Sequence, residues 1–214
     1  MKFTPHLLLS PIVAFTLTYI LAGCGERSTT SKPLATAPAG QPQQISLEEY
    51  LARLQKEAKA GNAEAQFNLG RIYLRGEGST GVAFVRDLPK DIPKAVEWLQ
   101  KAAMQKNMNA QRDLGMLFKL GIGVKEDAKS AFVWLQKAAA QGNDVAQYNL
   151  GLMFADGAGV KLDLPRASAW LALAAAQGNE KAIKSNMAID AKLTSAQRAE
   201  GQKLAAGWKK GESI

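Results

Sequence analysis

Residues 143–178 read NDVAQYNLGLMFADGAGVKLDLPRASAWLALAAAQG, and they repeat the 36 residues before them, 107–142, with 19 positions identical. A looser third copy precedes both, at 62–106, and carries nine extra residues at 79–87. A period of this length is typical of helical solenoids, in which each unit buries its apolar face against its neighbours. The repeat therefore predicts an all-α solenoid with three units.

Each unit is predicted to fold as two helices joined by a Gly-x-Gly turn. Asparagine precedes each first helix and aspartate opens each second helix, and both side chains can cap free backbone N–H groups. The capping residues are Asn62, Asp91, Asn107, Asp127, Asn143 and Asp163. A Leu-Gly pair recurs inside every first helix, at Gly70, Gly115 and Gly151. Because glycine there costs about 1 kcal/mol relative to alanine, we expect two helices to approach closely at these positions.

The recurring Leu-Gly, Gly-x-Gly, Trp-Leu and Ala-Ala-x-Gln motifs resemble the Sel-one-like repeat, a relative of the tetratricopeptide repeat. The resemblance covers about residues 47–190 and implies a right-handed α-solenoid that binds protein partners on its faces. It implies no particular reaction. In one branch of the family a cysteine pair bridges each hairpin. This sequence lacks that pair, so the properties of the bridged members are not carried over.

The solenoid is expected to span 46–208, with a capping helix region at each end. The N-terminal cap, 46–61, opens with a Ser-x-x-Glu capping box and has no first helix before it. The C-terminal cap, 179–208, has lost the Leu-Gly pair and contains a Thr-x-x-Gln capping box. Caps with a polar outer face protect the end units of a solenoid. The last six residues, 209–214, are expected to fray.

Residues 1–23 are predicted to be an export signal, in which Lys2 is followed by an apolar run at 7–22. The run ends in Leu-Ala-Gly before Cys24, which resembles the lipobox of bacterial lipoproteins. The resemblance implies that Cys24 is diacylated, with palmitate as a typical chain, and becomes the first residue of the mature protein. A transmembrane anchor is the alternative, but the run is short, contains Pro11 and lacks a basic flank.

Residues 24–45 are rich in Ser, Thr, Pro, Ala and Gln, so they bury too little apolar surface to offset the entropy of ordering. We therefore expect a flexible tether between the lipid anchor and the solenoid. Gly25, rather than aspartate, follows the cysteine. In a host with two membranes, resemblance to sorted lipoproteins then favours the outer membrane. The expected location is the cell envelope, on the outer membrane facing the periplasm.

The composition favours binding over catalysis. The net charge is +8 and falls to +7 without the signal, which contains one charged residue, Lys2. The only histidine, His6, leaves with the signal, and the only cysteine is acylated. The mature chain then has no neutral-pH proton shuttle, thiol nucleophile or zinc cluster, so we expect no enzymatic activity, no metal and no cofactor. Export argues against a nucleic-acid partner, so the basic charge favours an acidic protein, anionic lipid or cell-wall polymer.

The predicted partner-binding site lies on the first helices. In tetratricopeptide-like hairpins these helices line the concave side, so positions out of phase with the Leu-Gly core are expected to face the groove. These positions are Phe67, Arg71, Arg75, Arg112, Met116, Lys119, Tyr148 and Leu152. Apolar anchors mixed with cations are typical of peptide-binding surfaces. In the alternative interpretation, Phe67 and Tyr148 pack between neighbouring hairpins and the arginines are only solvated.

The insertion at 79–87 is a second candidate site. Insertions in solenoids fall in loops on one face, which is often the binding face. Val82, Phe84 and Val85 would give this loop an apolar contact surface. In the alternative interpretation, the loop folds back on its neighbours.

Together these features predict a membrane-anchored interaction scaffold that binds a protein or peptide partner through the groove or the insertion. The alternative is a structural or regulatory cell-wall factor whose basic surface contacts peptidoglycan. A glycan or β-lactam hydrolase is the function that the residues support least, although paired carboxylates such as Glu48 and Glu49 are present.

Overall fold

The computed structural model describes residues 46–76 and 90–214, except for the side chain of Leu47. The expected signal, the tether and the insertion at 79–87 lie outside the described residues. Within the described ranges the chain forms nine α-helices and no strand. The helices are α1 (Leu47–Lys59), α2 (Ala63–Arg75), α3 (Ile92–Met104), α4 (Met108–Leu120), α5 (Ala128–Ala140), α6 (Asp144–Asp156), α7 (Leu164–Ala176), α8 (Glu180–Asp190) and α9 (Ser195–Gly207). The predicted all-α fold class is confirmed.

The three repeat units are helical hairpins, in which α2 packs on α3, α4 on α5 and α6 on α7. The second helix of one unit also contacts the first helix of the next, as α3 does with α4 and α5 with α6. At the two ends α1 packs on α2, and both α8 and α9 pack on α7. This neighbour-to-neighbour packing is that of an α-solenoid. In the described part of the chain, no helix has the length and apolar character needed to cross a membrane.

Side chains cap the helix starts as the sequence predicts. The Oδ1 atoms of Asn62, Asn107 and Asn143 each accept a 2.9 Å hydrogen bond from the backbone N–H three residues later. The predicted aspartates cap α3, α5 and α7 in the same way. Both predicted capping boxes are present, at the starts of α1 and α9. The starts of these helices are therefore fixed by local chemistry.

The glycine inside each first helix lies where the second helix of the same unit packs against it. A β-carbon built on any of the three glycines would lie 2.7–2.8 Å from the Cγ atom of a leucine in that helix. The glycine and leucine pairs are Gly70 with Leu99, Gly115 with Leu135, and Gly151 with Leu171. All three leucines are fully buried, so a larger residue would displace core atoms. The predicted close approach is confirmed.

The tryptophans of the second helices show how the solenoid ends. Trp98 and Trp134 are half-buried, whereas Trp170 in the last hairpin is fully buried. The ring of Trp208, at the end of α9, covers Trp170 edge-on with 6.2 Å between the ring centroids. The C-terminal helices therefore protect an apolar surface that the next repeat would otherwise cover.

The tail at 209–214 is bound to the solenoid. The backbone N–H of Gly211 donates to the carbonyl oxygen of Ala140 at 2.6 Å, and Trp208 Nε1 donates to the carbonyl oxygen of Glu212 at 2.9 Å. Ile214 packs against the core of the last hairpins. The prediction that this tail frays is wrong, because the carbonyl at the end of α5 has no partner inside its own helix and the tail supplies one.

Candidate interaction surface of the first helices

The candidate site is the surface of α2, α4 and α6 that carries the eight predicted residues, called here the first-helix surface. Phe67 is not exposed on it, because only 4% of the residue is accessible and it packs with Val96 and Leu99 in the core between units. Met116 and Tyr148 are half-buried and pack partly against the core. Phe67 therefore matches the packing alternative, and the cationic side chains dominate what the surface presents.

Arg71 lies at the boundary between α2 and α4. Its Cζ atom is 5.5 Å from the centroid of the Phe67 ring, a distance at which the cation and the ring attract each other. Burial lowers the pKa of Arg71, and the positive charge of Arg75 lowers that pKa further, whereas Asp113 of α4 opposes the shift. Its Nε atom is buried and has no hydrogen-bond acceptor within the described residues. A buried donor without an acceptor costs free energy of folding.

Arg112, by contrast, is already paired. Its Nη2 atom lies 2.7 Å from Asp113 Oδ1, and its Nη1 atom donates to Asn109 Oδ1 at 3.3 Å. The two charged side chains are only 21% and 16% exposed, so solvent screens their attraction less than at an open surface. Arg112 is thus held in place by α4 itself. Within 46–76 and 90–214, neither Arg71 nor the exposed Arg75 forms an ion pair.

Lys119 connects α4 to α6. Its Nζ atom donates to Asn149 Oδ1 at 2.9 Å, and the Asn149 amide donates in turn to the carbonyl oxygen of Val145 at 2.8 Å. Burial lowers the pKa of Lys119, and the carboxylate of Asp156 partly offsets that shift. Lys119 therefore bonds to the neighbouring first helix and is also partly accessible on the first-helix surface. Leu152, also on α6, is half-buried.

The structure adds two residues to this surface that were not predicted, Asp113 and Asn149. Each bonds a predicted cation, and Asn149 lies on the next first helix along the chain. The sequence carries one signal for Asp113, an acidic residue directly after Arg112, and none for the bond between α4 and α6. Val82, Phe84 and Val85 of the insertion lie outside the described residues.

A relay of buried glutamines also joins the units, and it too was not predicted. Gln111 Nε2 donates to the carbonyl oxygen of Ala103 at 3.0 Å, and Gln111 Oε1 accepts a 2.7 Å bond from Gln141 Nε2. The same two bonds form around Gln66 in the preceding unit and Gln147 in the following one. The relay ties each second helix to the first helices on either side and makes this edge of the solenoid rigid.

The first-helix surface is suited to binding. Its side chains offer cationic donors next to half-buried apolar groups. Within 46–76 and 90–214 no three His, Cys, Asp or Glu side chains come together to hold a metal ion. Basic side chains of this kind recognise carboxylates by charge-assisted hydrogen bonds.

Comparison with family models identifies the repeat. The Sel1 repeat model matches residues 63–107, 109–143 and 144–179. The chain belongs to the Sel1 repeat family. Comparison with curated proteins gives no match.

Solved structures of Sel1 repeat proteins share the fold. One is a Sel1 repeat protein from Oxalobacter formigenes, 39% identical, with a TM-score of 0.57, over 64% of this chain and 97% of that one. Another is a protective antigen present in uropathogenic Escherichia coli strains, which displays an SLR fold. It is 29% identical, with a TM-score of 0.57, over 75% of this chain and 40% of the antigen. The chain therefore spans less than half of the antigen's length.

Sel1 repeat proteins generally mediate protein–protein interactions and are typically non-catalytic scaffolds. In this Sel1 repeat protein the first match contains the insertion at 79–87, which the other two matched segments lack. The first unit also departs from the others at its final turn, where Lys106 stands at the position of Gly142 and Gly178.

Proposed function

We propose that this protein is a membrane-anchored scaffold that binds a protein or peptide partner through the first-helix surface. The observation that carries the proposal is the pair of cations on α2, where the exposed Arg75 lies close enough to the half-buried Arg71 for its charge to lower the pKa of Arg71. A carboxylate of the partner would offset the local positive charge and accept charge-assisted hydrogen bonds from these cations. The membership in the Sel1 repeat family supports a protein as the partner.

The anchor is a separate part of the proposal. Cys24 is preceded by an apolar run and small residues, as in a lipobox, and followed by 22 residues before the first helix begins at Leu47. Lipidation there would attach the solenoid to the outer membrane on its periplasmic side. Each buried methylene of an acyl chain contributes about 0.8 kcal/mol, and two chains give stable attachment.

Charge reversal tests the binding surface. Partners are crosslinked in cells carrying the full-length chain, and the captured proteins are identified by mass spectrometry. Arg75→Glu combined with Arg71→Gln should abolish capture, because both positive charges of α2 at this point are lost. Arg112 is left intact in this design, because reversing it would place a negative charge against Asp113 and disturb α4. Lys181→Glu, on the exposed surface of α8, is the matched control and should capture the partner as the wild type does.

Two outcomes would redirect the proposal. If capture survives the double variant but is lost when 79–87 is deleted, the insertion is the binding element. If no protein is captured but the chain co-sediments with purified peptidoglycan sacculi, the cell-wall alternative replaces the scaffold proposal. The net charge of +8 is the reason for testing this alternative.

A further inference from the structure

A cavity of about 900 Å³ opens at the turn edge of the solenoid, where second helices end and the next first helices begin. None of the eight predicted residues of the first-helix surface lines it. Its walls come from the end of α3, the turn after it, α4, α5 and the C-terminal tail. The lining residues that carry side-chain chemistry are Met104, Lys106, Gln111, Trp134, Gln136, Lys137, Gln141 and Ser213.

One residue of this lining breaks the pattern of the repeat. At the turn between units the backbone is left-handed, with φ of 96° at Gly61, 94° at Gly142 and 86° at Gly178. The corresponding residue in the first unit is Lys106, whose φ is 65° and which is the one described residue other than glycine with a positive φ. A residue with a β-carbon is strained in this region. Glycine in the other turns shows that the fold does not require a side chain there.

The ammonium of Lys106 has no hydrogen bond or ion pair to the residues that the structure describes, and the residue is exposed. A strained residue without an internal role is a frequent sign of a binding function. Lys106 and Lys137 are the charged residues of the lining, which contains no aspartate or glutamate. The cavity is therefore complementary to a negatively charged ligand.

Apolar surface lies next to these cations. Met104 is 76% exposed, and a flexible thioether side chain adapts well to different apolar partners. Trp134 is half-buried, and Lys137 Nζ lies 4.2 Å from the centroid of its ring. The glutamines of the relay, Gln111 and Gln141, form a fixed polar wall through their mutual 2.7 Å bond.

The cavity edge already accommodates a non-helical piece of polypeptide. The tail reaches it through the bond from the Gly211 N–H to the Ala140 carbonyl oxygen, and Gly211 and Ser213 belong to the lining. A wall that holds one peptide segment by main-chain bonding is suited to a second segment alongside it. This favours a peptide over a lipid or a free small anion.

We propose that this cavity is a second binding site, specific for an acidic peptide segment that also carries an apolar side chain. Carboxylates of the peptide contact the ammonium groups of Lys106 and Lys137, and the apolar side chain packs on Met104 and Trp134. The site is separate from the one in the proposed function, and either can exist without the other.

The probe is a fluorescein-labelled peptide, Gly-Glu-Leu-Glu-Phe-Glu-Gly, titrated with the full-length chain and followed by fluorescence anisotropy. We expect it to bind, and we expect weak or no binding for a peptide in which Lys replaces Glu and for one in which Ser replaces Leu and Phe. The deciding variant is Lys106→Gly, which restores the residue of the other turns. It should raise the melting temperature by about 2–4 °C, since strain is relieved, and weaken peptide binding about three- to tenfold. Lys137→Gln should weaken binding to a similar extent.

The matched control is Gly178→Lys, which places the same strained lysine at an equivalent turn, where a β-carbon meets nothing within 4 Å. It should lower the melting temperature and leave peptide binding unchanged. The proposal is overturned if the wild type fails to bind the acidic peptide at millimolar concentration. It is equally overturned if Lys106→Gly raises the melting temperature while the affinity for the peptide is unchanged. A chain that binds phosphatidylglycerol vesicles through Lys106, and does not bind the peptide, would also overturn it.

Discussion

At Gly115 two physical effects oppose each other. Alanine is a better helix former than glycine by about 1 kcal/mol, but its β-carbon would lie 2.8 Å from Leu135 Cγ and 3.1 Å from the backbone nitrogen of the same residue. The side chain of a leucine can shift, whereas the backbone atom of α5 cannot move without moving the helix. Packing therefore decides the outcome.

Gly115→Ala should accordingly lower the free energy of unfolding by about 1–2 kcal/mol, since overpacking a core costs about 1–3 kcal/mol. The measurement is the urea midpoint of the purified chain. Gly207→Ala is the control, because Gly207 also lies in a helix and a β-carbon there meets nothing within 4 Å. It should be neutral or slightly stabilising. A Gly115→Ala variant more stable than the wild type would show that the two helices are not in close contact.

The glutamine relay gives a second prediction at this scale. Gln111→Leu removes the acceptor of the Gln141 amide and one of the donors to the Ala103 carbonyl, which still accepts from the Lys106 backbone N–H. It should cost about 1–3 kcal/mol, the usual penalty for an unsatisfied buried polar group. Gln100→Leu, at an exposed position on α3, should change the stability by less than about 0.5 kcal/mol. Equal effects of the two substitutions would mean that the relay contributes nothing to stability.

The role of a residue could be predicted from the sequence where its bonding partner lies within a few residues of it. The capping asparagines and aspartates bond their own helix within three residues, so their role is readable from spacing alone. The bond between Gln141 and Gln111 spans 30 residues and depends on how successive hairpins stack. Phe67 illustrates the same limit. Its position on α2 is out of phase with the Leu-Gly core, so the pattern of that one helix predicts that it is exposed. In the structure it is buried in a cluster that includes residues of the next unit, which the pattern of α2 alone does not describe.

At the scale of the element, the start of α5 should respond to acid. Hydrogen bonds from the Ser130 hydroxyl and then from the Ser130 backbone N–H lower the pKa of Asp127 below its usual 3.8. A depressed folded-state pKa stabilises the fold above the unfolded-state pKa, and this contribution is lost as the pH falls through about 3.8 towards the folded-state value. The charged cap is therefore fully effective at neutral pH.

Asp127→Asn retains a capping side chain but removes the titration. On acidification from about pH 7 to about pH 3, which spans the carboxylate range, its melting temperature should fall less than that of the wild type. Glu126→Gln, at the exposed neighbouring residue, is the control and should follow the wild type. Parallel loss in all three proteins would exclude Asp127 as a source of acid sensitivity.

The C-terminal helices allow a prediction about a whole element. Truncation after Gly178 removes α8, α9 and the tail, and so exposes Trp170, which is fully buried in the complete chain. The truncated protein should be less soluble and should melt less cooperatively. Circular dichroism and analytical size exclusion measure both properties. A soluble truncation that melts as sharply as the full chain would rule out a capping role for these helices.

For the whole molecule, the fold class could be predicted from the repeat, because only a few protein architectures are built from sequence repeats of fixed length. The candidate site was harder to predict. Sequence phase placed the predicted cations on the first helices, but their partners are harder to predict, because the bond from Lys119 to Asn149 depends on how successive hairpins stack. The tail was misjudged for the same reason, since its acceptor at Ala140 lies far away in sequence.

The proposed anchor gives a prediction for the intact protein. Cys24→Ser removes the only cysteine of the chain, and with it the expected site of acylation. The variant should leave the membrane fraction or accumulate unprocessed, as judged by fractionation and intact mass. Arg75→Glu is the control, and it should stay anchored because its change lies in the solenoid. A Cys24→Ser protein anchored at the mature mass would contradict the lipoprotein proposal.

Site-specific photocrosslinking in living cells tests the central proposal, a protein partner on the first-helix surface, most directly. A photoreactive amino acid replaces Arg75 in one strain and Lys181 in another, both exposed positions. We predict a discrete protein adduct from position 75 that is absent from position 181. Adducts of equal yield at both positions, or none at position 75, would contradict it.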